Sequence, residues 1–110
     1  MNLTEYNIRI DEEKLERYCL NPLHPVGKHK ARVFGSALGL TESDAKTLRR
    51  LILEGTARGR WSKGMKDRYG QRYVCDISCN HAGSSETVRC AWICLEGTKE
   101  LRLTTCYVKR

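Results

Sequence analysis

Histidine is the side chain whose ordinary pKa lies nearest neutrality, and this sequence has three, His24, His29 and His81. Two of them bracket a short basic stretch, His24-Pro25-Val26-Gly27-Lys28-His29-Lys30. Pro22 and Pro25 push the residues before them out of the helical region, so residues 21 to 27 form a constrained loop feeding a helix N-terminus. Backbone N–H groups at such an end, with Lys28, His29 and Lys30 beside them, favour an anion. The chemistry this suits is metal-free cleavage of RNA. There the ribose 2′-hydroxyl is the nucleophile, and the protein supplies proton transfer and cations around phosphorus. His24 is the candidate general acid or base; a structural hydrogen bond inside the turn would use it equally well.

The later part of the chain offers complementary donors. Arg89 and Arg102 fall on strand-like segments with Thr104 nearby, on the less apolar face, where guanidinium and hydroxyl groups suit a phosphate and the charge developing on it. A solvated sheet face with charged ladder pairs fits the same residues. Residues 56 to 71 are glycine-rich and basic, with Arg58, Arg60 and Lys63 around Trp61. As a long exposed connection they would place an aromatic ring among cations, as single-stranded RNA binding requires. Trp61 folded as a lid on the core is the competing use. Arg32 extends the same basic surface from the preceding helix. The sequence has no Gly-x-x-x-x-Gly-Lys phosphate loop, no His-Glu-x-x-His and no compact carboxylate cluster. Nucleotide hydrolysis and two-metal nuclease chemistry therefore lack support, and no metal or cofactor is expected.

These residues must be positioned by one small scaffold, since 110 residues leave no room for a second core. The formal charge is +7, and residues 26 to 72 concentrate it, with twelve Lys and Arg against four acids. A field of that sign captures polyanions, which favours RNA, DNA or an acidic protein as partner. No stretch approaches the roughly 20 apolar residues of a membrane helix, so no membrane partner is expected and the chain reads as cytoplasmic.

Residues 11 to 55 read as helical. Asp11 is an N-cap followed by Glu12 and Glu13; Lys30, Val33, Phe34, Ala37 and Leu38 mark a second helix from about Lys28, closed by Gly39; and Thr41 with Asp44 resembles a capping box for a third. After the basic loop, residues 72 to 110 alternate as three antiparallel strands, Arg72 to Cys79, Thr87 to Cys94 and Leu101 to Val108. The expected fold is thus α+β, with N-terminal helices packed on one face of a C-terminal antiparallel sheet of three or more strands. Alternation assigns Tyr73, Cys75, Ile77, Cys79, Val88, Cys90, Trp92, Cys94, Leu101, Leu103 and Tyr107 to the helix side, and Cys106 to the other. A turn around Gly83 to Glu86 would set Cys79 opposite Cys90 and Cys75 opposite Cys94. Six cysteines without a C-x-x-C pair read as buried free thiols.

Tyr18 to Phe34, followed by Leu38-Gly39, resembles the opening of a small bacterial and phage domain family. Tyr69-Gly70-Gln71-Arg72-Tyr73, Thr87-Val88-Arg89 with Trp92, and Leu101-Arg102-Leu103-Thr104-Thr105 with Tyr107 are similar to its later segments. Members occur free-standing, at the C-termini of phage minor head proteins and as modules similar to those of polymorphic toxins. Their order of elements is similar to that of the barnase, EndoU, colicin and RelE ribonucleases. The resemblance implies site positions at His24, Gly27, Lys30, Arg89, Trp92, Arg102, Thr104 and Tyr107. It also implies a toxin-type ribonuclease in which Lys30, Arg89 and Arg102 hold the phosphate while Thr104 and Tyr107 orient the substrate. RNA, with tRNA one candidate, is then the partner, and an acidic immunity protein or antitoxin the inhibitor. A non-enzymatic protein that binds nucleic acid or blocks another protein through the same basic surface remains the alternative.

Overall fold

The computed structural model describes residues 2–110. Helices begin and end where the sequence places their caps. Asp11 accepts from the Glu13 N–H at 3.0 Å and opens α1 (Glu12–Lys14), which runs on as a π-helical turn, Leu15–Cys19. Gly39, at φ 67°, closes α2 (Lys28–Leu38), and its N–H donates to the Gly35 carbonyl at 3.0 Å. The Thr41 N–H donates to Asp44 Oδ2 at 2.8 Å ahead of α3 (Ala45–Thr56). The architecture is α+β, as expected. Phe34, Leu38, Leu48 and Ile52 on the helices meet Cys75, Ile77, Val88, Cys90 and Trp92 on one face of the sheet.

The sheet has five strands, two more than the three located in the sequence, and is mixed where an antiparallel one was expected. Its order is β1 (Asn7–Arg9), β5 (Glu100–Val108), β4 (Ser84–Leu95), β3 (Gly70–His81) and β2 (Arg60–Asp67). β1 precedes the helices and pairs parallel with β5; three residues carry too short a pattern to be read as a strand. β2 lies inside the segment expected to be a loop, residues 56 to 71. It is an edge strand with an irregularity between Lys63 and Lys66, and lysine-rich, irregular edges are how sheets avoid further pairing.

Two register details differ from expectation. The β3–β4 hairpin turns on Ala82 and Gly83, both at positive φ (51° and 80°), so His81 faces Ser84, Cys75 faces Cys90 and Cys79 faces Glu86. The shift is by an even number of residues, so the helix-side set on β3 and β4 is preserved. On β5 the pairing slips between Ala91 and Trp92, leaving Thr104 as an extra residue. This bulge inverts the alternation beyond it: Cys106 and Val108 enter the core, and Tyr107 turns to the opposite face, where it pairs with Arg89.

Candidate functional site

The His24 loop is held from within. Nδ1 of His24 accepts from the Val26 and Gly27 N–H groups, both at 3.0 Å, so the proton of the neutral ring is on Nε2. The ring stands edge-on to Tyr18, 4.7 Å between centroids at 74°. Gly27 makes this approach feasible, because a Cβ there would overlap the Tyr18 carbonyl oxygen. Packing and turn chemistry together thus fix the imidazole beside the first turn of α2.

Lys30, one turn further on, lies 6.0 Å from the Tyr18 ring and 5.0 Å from the Tyr107 ring, within cation–π range of both. Tyr107 reaches this position only because the Thr104 bulge turns it out of the core. Across the β4–β5 ladder from Tyr107 is Arg89. Its guanidinium grips Asp76 with Nε to Oδ1 at 2.8 Å and Nη2 to Oδ2 at 2.9 Å, and Lys109 Nζ reaches Oδ2 at 3.2 Å. The Arg89 hydrogen bonds, helped by Lys109 and opposed by partial burial, hold the Asp76 carboxyl at about 2. Asp76 in turn raises the guanidinium above its ordinary range, with Tyr107 adding to the effect.

The structure links His24 through Tyr18 to Lys30, and Lys30 through Tyr107 to Arg89, and leaves two expected partners aside. Arg102 is at the far end of β5 in an ion pair with Glu100 at 2.8 Å, a residue that Arg9 also reaches at 3.3 Å. Thr104 Oγ1 donates to the Ala91 carbonyl at 3.1 Å and so ties down the bulge. His29 and Arg32 are exposed on α2, and Lys28 is half-buried. His81 is structural, its Nδ1 donating to the Leu38 carbonyl at 2.7 Å.

Trp61 takes the lid position. Its centroid is 5.8 Å from that of Trp92 and its Nε1–H donates to the Thr56 carbonyl at 3.2 Å, so this ring belongs to the helix side of the sheet. Lys63, two residues on, is exposed on the same side. Arg58 and Arg60 instead border a hollow of about 540 Å³ on the open face, with Asp76, Ser78, Lys109 and Arg110. A second hollow of about 440 Å³ adjoins it, shares Arg58 and Ser78, and runs along Arg50 and Glu54 of α3.

Sequence reasoning missed Tyr18, which joins the loop to Lys30, and the parts played by Asp76 and Lys109. The signal for Asp76 was present, since alternation places it on the same face as Arg89. Lys109 lies outside any period, and Tyr18, at helical spacing with Leu15 and Cys19, is joined to Lys30 only by tertiary packing. No helix among the described residues is long and apolar enough to cross a membrane. The family model for the domain of unknown function DUF6883 matches residues 2–110, and the chain belongs to that family. No curated protein and no solved structure matches it.

Proposed function

We propose that this DUF6883 domain binds RNA and cleaves it without a metal, in the manner of a bacterial toxin ribonuclease. The observation that supports this most is the chain of contacts that runs from His24 through Tyr18 to Lys30, Tyr107 and Arg89, all of them partly exposed. In the reaction, the 2′-oxygen bonds to phosphorus and the bond from phosphorus to the 5′-oxygen breaks, giving a 2′,3′-cyclic phosphate and a 5′-hydroxyl. With Nδ1 occupied by two backbone donors, His24 acts as a donor from Nε2–H to a phosphoryl oxygen, a narrower role than general acid or base. Arg89 offsets the charge growing on phosphorus, and Lys30 delivers a proton to the departing 5′-oxygen. The 2′-hydroxyl proton passes to solvent hydroxide, and Tyr107 orients Lys30. An acidic immunity protein or antitoxin would be the matching inhibitor of such a basic surface.

The firm hold of Asp76 on Arg89 and of the loop backbone on His24 favours a second reading, in which the same residues retain RNA phosphates without cutting. Incubation with total RNA in EDTA separates the two. The cleavage reading expects discrete fragments with cyclic phosphate ends, lost in Lys30→Ala and reduced in His24→Asn, which keeps an acceptor for the turn. RNA that is bound but stays intact would leave only the second reading standing.

A further inference from the structure

The open face carries one continuous rung. Arg60 on β2 is directly opposite Asp76 on β3, Asp76 is opposite Arg89 on β4, and Arg89 is opposite Tyr107 on β5. At about 4.8 Å per strand the rung spans roughly 14 Å across the sheet. One end meets Lys30, which stacks over Tyr107 at 5.0 Å. The other, at Arg60, opens into the hollow that Arg58 also borders. Asp76 is a single carboxylate facing Arg60, Arg89 and Lys109, so the rung keeps a surplus of positive charge. Arg89 uses two of its five guanidinium hydrogens on Asp76, and among the described residues Arg58 and Arg60 make no ion pair. Asp76 therefore aligns the cations without neutralising them.

We infer that this rung is a substrate track: a single-stranded RNA lies across the sheet, perpendicular to the strands, with one phosphate at the Lys30 and Arg89 end. Its neighbouring phosphates descend into the hollow at Arg58 and Arg60. The inference rests on the RNA reading above but not on cleavage. A strand crossing at right angles meets Arg60 on β2, Arg89 on β4 and Lys30 over Tyr107, whereas a strand lying along β3 would meet Asp76 and Ser78 without reaching Arg60 or Tyr107. The contacts are to phosphates, so the track is expected to read chain length and charge more than base sequence.

The probe is 2′-O-methyl RNA, which binds through its phosphates but lacks the nucleophilic hydroxyl, so the measurement is independent of whether the domain cuts. Affinity is expected to rise from a dinucleotide to a longer oligonucleotide. For the longer probe, Arg58→Gln with Arg60→Gln should flatten the slope of log affinity against log salt by about 1.4, two lost contacts at about 0.7 each on a single strand. Lys99→Gln, the same kind of charge loss in the β4–β5 turn, should leave the slope within error of the parent. An unchanged slope in the double variant, an equal change in the Lys99 variant, or affinity independent of length would each overturn the track. Loss of cleavage of ordinary RNA with these binding results intact would instead count against the catalytic reading alone.

Discussion

Two neighbouring rungs of the same three strands have opposite chemistry. Cys75, Cys90 and Cys106 face one another on the helix side, and Asp76, Arg89 and Tyr107, their neighbours in the chain, face one another on the open side. Burial pushes the Cys75 thiol up to about 12 and that of Cys79 to about 11, and raises Cys90 as well. Beside them the Asp76 carboxyl is driven down to about 2 by its cations. On one rung desolvation governs Cys75 and Cys90, and a hydrogen bond with Cys19 leads at Cys106 with burial behind it; charge pairing governs the other, with a single pleat between them. The thiols are packing groups, kept neutral and out of reach; the charged rung is where an anion can be met.

The contrast predicts unequal costs. Trp92 is 1% exposed, and Trp92→Ala should destabilise by about 3–5 kcal/mol, measured by denaturant unfolding. Cys90→Ser, which buries a hydroxyl among apolar neighbours, should cost about 2 kcal/mol. On the open rung, Arg89→Ala should cost less than either core variant, because Asp76 keeps Lys109 and solvent. An Arg89 variant as unstable as the Cys90 variant would mean that the open rung is structural.

The acid limb sharpens the same point. Asp76 has a folded pKa of about 2 against its ordinary 3.8. Its contribution is therefore full above pH 3.8 and is lost as pH falls through about 2. Allowing for solvent around the pair, the loss should be about 1 kcal/mol, and Asp76→Asn should flatten that part of the stability profile. Thiol titration adds a qualitative check. Six groups should react in denaturant, while in the native protein half-exposed Cys94 should react first and the buried five resist. The smallest effect belongs to the hairpin. Ala82 holds φ 51°, a region asparagine tolerates better, so Ala82→Asn should raise stability by about 0.5 kcal/mol.

Much of this was legible in the sequence. Capping residues located the helices, because Asp11, Gly39 and the Thr41–Asp44 pair act within a few residues of where they stand. Alternation gave the helix side of β3 and β4 for the same reason. Local reasoning fails where one residue resets the pattern: Thr104 inverts β5 and carries Tyr107 to the open face, and an Ala-Gly turn gives no strong signal for register. β2 hides among lysines and glycines because an edge strand is selected against looking like a strand. At the site, residue types sufficed to single out His24, Lys30 and Arg89. Whether Arg102 joined them depended on distance along β5, which composition does not encode.

The central claim is that the open rung and the His24 loop, and not the helix side, meet RNA. Amide and side-chain NMR shifts followed during titration with uncleavable 2′-O-methyl RNA test it most directly. The account predicts the largest changes at His24, Lys30, Arg60, Arg89 and Tyr107, with Trp61 and the cysteine rung nearly still. Changes confined to the exposed side of α3, or to Trp61 and Lys63 on the helix side, would contradict it.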